Sequence, residues 1–331
     1  MITTGEPYTD GRNTEIIDLE DSSFSCTKVK QFPVKLYGAS GGLMNGQKPF
    51  VCGGGAYINN VWTPSKDCYQ ITEAGSWAKD QTASLDTARG YAGIGSVVIN
   101  NQLILSGGSD DSIELVSPNT ITKDFYVFLP TGFDRHCQVQ WDHETFMVIG
   151  GAHWSRDETL FINVKTNELT NGPSLNIGRS EHACGEIEVN GKSYIIVSGG
   201  RIASSDTGLR STEFLDKNNV QQGWMIGKKK NLKFFLDIFV YLIFHYISGY
   251  DSELPFEKYM FQMVSPPRKK ALYTVGGHKF NVGDLKDIYK FNCTGGINTC
   301  KWIKSNTELG FRHYEFVTIS IPNSLADKLC N

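Results

Sequence analysis

The sequence predicts an all-β fold of the β-propeller class, and three observations support that prediction. A short apolar run that ends in two glycines recurs five times in the 331 residues. Each run stands in the same order among other strand-like segments, which gives four short strands per unit. The 34 glycines and the charged fraction of only 20% favour many turns over long surface helices. Four-stranded units repeated in tandem are typical of propeller blades.

The double-glycine runs predict the second strand of each unit. Their β-branched and aromatic residues favour strands, and glycine can take the positive φ that a sharp turn needs. The runs are PFVCGG, LILSGG, FMVIGG, YIIVSGG and LYTVGG, with first glycines at Gly53, Gly107, Gly150, Gly199 and Gly276. An inner strand is predicted upstream, as in HCQVQW, and a third strand downstream, as in IELVS and TEFLD. A fourth strand follows, and in three units it carries a tryptophan: Trp77, Trp224 and Trp302.

These units resemble the kelch repeat. The pattern is a double glycine, then an aromatic residue near the third strand, then a tryptophan before a Gly or Leu-Pro turn. The resemblance covers residues 14–322, and five tandem copies make it specific. It implies a kelch-type β-propeller, and the sequence is similar to the disulfide-bearing extracellular members of that family.

The two ends of the chain predict a sixth blade. Residues 14–33 parallel the third and fourth strands of the fourth unit, and residues 310–322 have the pattern of an inner strand without partners. Joined, they would form one blade from both ends of the chain and remove the exposed edge of a linear stack. We therefore predict a six-bladed propeller over residues 14–331, as a single domain and a monomer, preceded by a disordered tail at residues 1–13.

The segment from Lys228 to Gly249 interrupts the repeat. First glycines are 54, 43, 49 and 77 residues apart, and deleting these 22 residues changes the last gap to 55. The apolar run at residues 234–247 contains Asp237 and His245 and is shorter than the roughly 20 residues of a membrane span. We predict no membrane span. One alternative is an inserted hairpin or helix packed on the propeller; we favour a translated intron, because A/T-rich codons with splice-like boundaries can encode this segment.

The eight cysteines can be paired by blade. Sequence alone allows 105 connectivities. The blade assignment pairs Cys52 with Cys68 inside one blade, Cys137 with Cys184 on adjacent inner strands, Cys293 with Cys300 across a turn, and Cys26 with Cys330 at the joined ends. Four bridges would indicate an oxidising compartment. The alternatives are free thiols in a cytosolic protein and, with less support, a zinc site, since no pair has the close spacing of structural zinc motifs.

We expect an extracellular, secreted protein, with a cytoplasmic location as the alternative. The first residues, MITTGEPYTDGRN, contain no apolar signal sequence, so we expect that a leader is missing from this chain. Asn292 lies in the one sequon, Asn-Cys-Thr, and is a candidate glycosylation site. A net charge of -3 and a pI near 6.2 give no electrostatic footprint for nucleic acid.

One basic residue recurs in the turn that enters each inner strand. Propeller geometry would place these six side chains in a ring around the channel mouth, where they would suit a carboxylate, a sulfate or an acidic peptide. The alternative is structural: a repeated arginine can tie a turn to backbone carbonyls of the neighbouring blade. The predicted ring consists of Lys35, Arg89, Arg135, Arg179, Lys258 and Arg312.

Loops after the double glycines are expected on the same face. Aromatic residues beside arginines are typical of binding hot spots. The longest loop, residues 201–212, is the best candidate for ligand contact, because long loops on rigid scaffolds concentrate function. The predicted loop residues are Tyr57, His153, Trp154, Arg156, Arg201 and His278.

The predicted function is non-enzymatic binding of a protein, an acidic peptide or a glycan through the basic, aromatic loop face. No cofactor, metal site or catalytic residue is predicted, since no positioned nucleophile, carboxylate pair or phosphate loop is evident. The alternative is a hydrolase or oxidase, sialidase-like or galactose-oxidase-like, with its site in the channel mouth. Fold class does not decide between these.

Overall fold

Six antiparallel sheets are arranged as a six-bladed β-propeller, and two further short strands pair in a separate two-stranded sheet. The computed structural model describes residues 1–4, 12–24, 26, 28–91, 95, 97–108, 110–120, 125, 127–151, 156–202, 208–227, 252–266 and 269–330. In chain order the strands are β1 (Ile2–Thr4), β2 (Thr14–Ile16), β3 (Tyr37–Met44), β4 (Lys48–Ile58), β5 (Val61–Pro64), β6 (Asp67–Ile71), β7 (Trp77–Ser84), β8 (Val98–Ile99), β9 (Gln102–Ser106), β10 (Ile113–Val116), β11 (Cys137–Gln140), β12 (Thr145–Ile149), β13 (Thr159–Asn163), β14 (Glu168–Asn171), β15 (Ala183–Val189), β16 (Lys192–Ser198), β17 (Thr212–Asp216), β18 (Met225–Gly227), β19 (Gln262–Val264), β20 (Leu272–Val275), β21 (His278–Lys279), β22 (Gly283–Asp284), β23 (Asp287–Asn292), β24 (Lys301–Glu308) and β25 (Val317–Ile319). One α-helix, α1 (Asn323–Cys330), follows the last strand.

The blades follow the chain order that the repeats predict. Blade 1 is β3-β4-β6-β7, blade 2 is β8-β9-β10, blade 3 is β11 to β14, blade 4 is β15 to β18, and blade 5 is β19-β20-β23-β24. Blade 6 joins both ends of the chain in the order β25-β1-β2. The second and third strands of most blades are buried on both sides, because each blade packs between two neighbours. This double burial explains the continuous apolar runs before the glycines.

The composite blade contains a strand in the segment that was predicted to be a disordered tail. Ile2 to Thr4 form β1, which pairs with β2 on one side and β25 on the other, and Ile2 is 1% exposed. The tail prediction is wrong for these residues; residues 5–11 lie outside the described part of the chain. An inner strand and a third strand cannot pair directly in this blade, so a middle strand has to lie between them.

The outer layer of the composite blade also differs from the prediction. Residues 17–24 and 28–33 form no strand, so the fourth strand expected there is absent from the described residues. Instead Phe24, Val29 and the α1 residues Leu325 and Leu329 pack on the sheet. The helix therefore contributes to the apolar core that the composite blade shares with blade 1.

The double glycines lie where adjacent blades approach each other. Gly199 has φ +64°, and a Cβ built on it would lie 2.5 Å from the carbonyl oxygen of Lys258 in the next blade. The N–H of Gly200 donates a hydrogen bond of 2.8 Å to that same oxygen. Equivalent bonds join Gly108 to Phe133, Gly151 to Arg179 and Gly277 to His313. A side chain at the first glycine would block this contact between blades.

We expect Gly199→Ala to lower the free energy of unfolding by more than about 2 kcal/mol, since it adds a steric contact to the roughly 1 to 2 kcal/mol cost of a positive φ. Gly46 is the matched control, because it has φ +66° and no atom within 4 Å of its built Cβ. Gly46→Ala should therefore show the φ cost alone. Denaturant titration of both variants measures the difference, and equal losses would contradict the close approach between blades.

The four disulfides are those that the blade assignment predicted. Cys52 and Cys68 lie directly opposite each other in β4 and β6, and the bridge from Cys26 reaches the last residue of α1 over a sequence separation of 304. The pairs are Cys26–Cys330, Cys52–Cys68, Cys137–Cys184 and Cys293–Cys300. The described residues contain no free cysteine.

Three further predictions from the sequence concern an interrupting segment, a membrane span and glycosylation. The segment from Lys228 to Gly249 lies outside the described residues, so neither interpretation of it is decided. No helix in the described ranges is long and apolar enough to span a membrane. Asn292 is the half-buried last residue of β23, and its glycosylation stays a prediction.

Candidate functional site at the channel mouth

One end of the propeller collects both the turns that enter the inner strands and the loops that leave the second strands. Antiparallel pairing of the first two strands puts these segments side by side. Isolated bridges confirm this in two blades, where Ser180 pairs with Arg201 and Tyr259 pairs with His278. We call this end of the molecule the channel mouth.

Six backbone hydrogen bonds form a closed circle at the channel mouth. In each blade, one residue of the turn that enters the inner strand donates its N–H to a carbonyl oxygen in the preceding blade, over 2.8 to 3.3 Å. The acceptor is the residue at the equivalent position of that blade. Every one of these residues has a φ between +50° and +59°. We call them the axial ring: Gly38, Tyr91, Arg135, Glu181, Met260 and Glu315. Five are not glycine, so left-handed strain is concentrated around the axis, as it commonly is at functional sites.

The predicted ring of six exposed basic side chains does not exist. Arg89, Arg179 and Lys258 share one position, two residues before the axial ring, and all three are 0% exposed. Arg179 donates to the carbonyl oxygens of Gly199 and Ser211 and pairs with Glu213 at 2.8 Å. Arg89 makes the same set of contacts in blade 2, with Gly107, Ser112 and Glu114. The structural alternative holds for these arginines, although the carbonyls belong to their own blade.

The other three predicted basic residues occupy different positions. Leu36, Phe133 and His313 stand where Arg89 and Arg179 stand in their blades. His313 accordingly contacts the third-strand Glu15 at 2.8 Å. Lys35 and Arg312 are exposed one residue before that position, and Arg135 belongs to the axial ring. The predicted equivalence of the six basic residues was wrong because basic residues occur at neighbouring positions of the turns. Periodicity alone does not show which of these side chains is buried.

The buried Lys258 is held differently from the arginines. Its Nζ contacts Thr274 Oγ1 at 3.3 Å and lies over the rings of Phe261 and Tyr289, 5.0 and 5.6 Å from their centroids. Burial lowers the pKa of Lys258 to about 7, with the charge of Asp287 acting in the opposite direction. Lys258 is therefore part of the core of blade 5 and cannot contact a ligand.

Arg135 and Arg201 converge on one carboxylate at the axis. Both guanidiniums donate to Oε1 of Glu181, at 2.5 and 2.6 Å, and each arginine side chain remains 32% exposed. Arg135 lies over the ring of Tyr91 and Arg201 over that of Tyr259, at 4.9 and 5.6 Å from the ring centroids. Stacking on the rings holds both guanidiniums in position.

Glu315 is the second acidic residue of the axial ring. Burial, together with the charge of Glu181, raises the pKa of Glu315 to about 7. Arg135, Arg201 and a hydrogen bond with Tyr91 act against this rise. Burial also raises the pKa of Tyr91, so its phenol stays protonated and links Glu315 to Tyr57.

A small cavity lies inside the axial ring. Its volume is about 30 Å³, enough for one or two water molecules. Glu181 is 1% exposed, and its Oε2 accepts no hydrogen bond from any described residue. The cavity wall includes both acidic residues; its lining is Gly38, Ala39, Tyr91, Arg135, Glu181, Met260, Gln262, Glu315 and Phe316.

A hairpin projects beside the mouth. β4 and β5 pair beyond the end of blade 1, and their turn uses Asn59 and Asn60 at positive φ, which suits a tight hairpin. The tip exposes Tyr57, Ile58 and Val61 by 59%, 56% and 64%. The next residue, Trp62, stacks on Tyr91 with ring centroids 4.8 Å apart. The hairpin therefore places exposed apolar side chains next to the arginines of the mouth.

The predicted loop residues are distributed over this face. Tyr57, Arg201 and His278 lie at the mouth, and His278 contacts Asp284 at 2.7 Å. Arg156 pairs with Glu158 and stacks on Phe133. His153 and Trp154 lie outside the described residues, as does the middle of the loop at 203–207.

Sequence reasoning missed Tyr91, Glu181, Tyr259 and Glu315. One signal could have found two of them: Tyr91 and Glu181 stand two residues after Arg89 and Arg179, at the same repeat position. Chemically dissimilar residues share this position, so residue type gave no periodic signal.

No family model and no curated protein matches this chain. Within the described ranges, no group of three or more His, Cys, Asp or Glu side chains is arranged to hold a metal ion.

Proposed function

We propose that this protein is a kelch-type, extracellular binding module that recognises an acidic segment of a protein or peptide at the channel mouth. One observation carries the proposal. Two stacked guanidiniums share a single carboxylate oxygen of Glu181, and each arginine side chain remains 32% exposed, so both can approach a ligand carboxylate. Arginine forks held in this way favour a planar carboxylate ligand.

The hairpin tip provides the apolar part of the same surface. Tyr57, Ile58 and Val61 are exposed, and Tyr57 hydrogen-bonds Tyr91, over which Arg135 lies. Exposed aromatic and aliphatic residues beside arginines have the composition of an interface hot spot. A peptide with an acidic residue flanked by apolar ones would fit both parts.

Secretion is supported by the cysteines. All eight described cysteines are paired. A protein with four disulfides and no free thiol is suited to an oxidising compartment.

The test is binding of a fluorescently labelled hexaglutamate peptide at pH 6.5. We expect Arg135→Gln and Arg201→Gln each to weaken binding by about tenfold to a hundredfold, because a hydrogen bond to a charged group contributes roughly 1.5 to 3 kcal/mol. Each single variant leaves Glu181 one arginine partner, which limits the effect on folding. Arg312→Gln is the matched control, since Arg312 is an exposed arginine that is not part of the axial ring.

Affinity unchanged in both mouth variants would contradict the proposal. If the wild-type protein does not bind the peptide but binds a neutral oligosaccharide, a glycan ligand is favoured instead. Thermal melting of each variant verifies that the propeller is intact.

A second candidate function is glycoside hydrolysis. A carboxyl group with a raised pKa beside an ionised carboxylate is the usual acid and base arrangement of such enzymes. Against it, Glu181 is 1% exposed and the cavity of about 30 Å³ admits no sugar ring. We propose binding rather than catalysis, and turnover of any nitrophenyl glycoside that is lost in Glu315→Gln would reverse this choice.

A further inference from the structure

We propose that binding of the ligand carboxylate at the channel mouth is coupled to proton uptake by Glu315, so that the mouth binds acidic ligands tightly at low pH and releases them at high pH. The inference rests on the proposed function, because it concerns the regulation of that same site. It is drawn from the arrangement of the axial ring and its cavity.

The first step is the unsatisfied oxygen of Glu181. Oε2 lies in a side chain that is 1% exposed, and no described residue donates a hydrogen bond to it. A buried carboxylate oxygen without a donor is costly. The cavity beside it is also lined by Glu315, whose carboxyl group can supply a proton, directly or through a water molecule. A protonated Glu315 therefore places an O–H donor in the wall of the same cavity as this unsatisfied oxygen.

The second step is the charge balance around Glu315. The groups that face Glu315 are Tyr91 from blade 2, Arg135 from blade 3, and Glu181 and Arg201 from blade 4. Its other ring neighbours, Gly38 and Met260, are uncharged. Asp134 of blade 3 adds a further carboxylate beside Arg135. With Glu315 ionised, two guanidiniums face three carboxylates and the mouth has one negative charge in excess. With Glu315 protonated, the two positive and two negative charges balance.

The third step is competition for the same arginines. A ligand carboxylate needs the exposed parts of Arg135 and Arg201, and an ionised Glu315 repels it in a confined space. Only protein in which Glu315 is protonated is then competent to bind the ligand carboxylate. Because the apparent dissociation constant scales inversely with the competent fraction, a group with a pKa of about 7 weakens binding about thirtyfold between pH 6.0 and 8.5.

The experiment uses the full chain and the labelled hexaglutamate peptide, whose carboxylates remain ionised over this range. For the wild type, we expect the dissociation constant to rise at least tenfold between pH 6.0 and 8.5. Glu315→Gln should bind tightly at both values, because glutamine keeps the shape and stays neutral. Glu257→Gln is the matched control, an exposed carboxylate one residue before Lys258; it should behave as the wild type.

Calorimetry in two buffers of different ionisation enthalpy gives a second readout that needs no variant. At pH 8, wild-type binding should take up about one proton per peptide. His278 remains in the Glu315→Gln variant, so a pH dependence that comes from His278 would survive there.

The outcomes separate the two proposals. Peptide binding that depends on Arg135 and Arg201, with no proton uptake or with the same pH dependence in Glu315→Gln, overturns the coupling and leaves the proposed function standing. Absence of peptide binding at every pH overturns both. Proton uptake that is abolished in Glu315→Gln supports the coupling.

Discussion

Replacing Cys26 and Cys330 with serine is expected to lower the free energy of unfolding by about 5 to 6 kcal/mol, the chain-entropy value for a loop of this length. This bridge spans a sequence separation of 304 and joins the N-terminal part of the composite blade to the end of α1. Without it, noncovalent contacts alone hold the two ends of the chain together: strand pairing, packing and polar contacts such as that of His313 with Glu15. Denaturant titration of the double-serine variant measures the loss.

The matched control is the bridge between Cys293 and Cys300, whose sequence separation is 7. The same relation gives about 2 to 3 kcal/mol for its removal. If the short bridge stabilises the protein as much as the long one, closure of the ring does not depend on the terminal disulfide. A non-reducing peptide map of the folded protein verifies the four pairings first.

Arg179→Ala is expected to cost about 3 to 5 kcal/mol, because it leaves the buried charge of Glu213 without its partner. Both side chains are 0% exposed, and Glu213 also accepts hydrogen bonds from the backbone N–H groups of Asn176 and Ile177. The arginine thus connects the entering turn, the double glycine and the third strand of one blade. Thermal or denaturant unfolding measures the loss.

Arg312→Ala is the control for this prediction. Arg312 belonged to the same predicted ring, yet it is exposed, and exposed substitutions usually change stability by less than about 0.5 kcal/mol. If Arg179→Ala and Arg312→Ala lower the free energy of unfolding by similar amounts, the original prediction of six equivalent basic residues is supported.

The blades and their order could be predicted because their signals are local. A double glycine at Gly199 and Gly200 marks a backbone that needs positive φ and close approach, and the flanking apolar runs mark strands buried on both sides. Each unit repeats these constraints, so five copies indicate a propeller. The same assignment gave the disulfide partners, since strands that pair bring their cysteines together.

The composite blade was predicted only in part. Thr14 to Ile16 and Val317 to Ile319 carry recognisable strand patterns, but the strand between them, Ile2 to Thr4, has only three residues and no glycine pair. This strand is positioned by its pairing with both of those segments, which are far apart in the sequence. A three-residue segment is too short to carry a sequence pattern that predicts this pairing.

The sequence by itself determined the propeller, the number of blades and the cysteine pairing, because periodic burial and turn geometry repeat along the chain. Only the tertiary structure decided which basic residues are exposed and which are buried. It also brought together Arg135, Glu181, Arg201 and Glu315, which come from three blades. That cluster depends on six chain segments meeting at one axis, and contacts between segments so far apart in sequence leave no periodic signal.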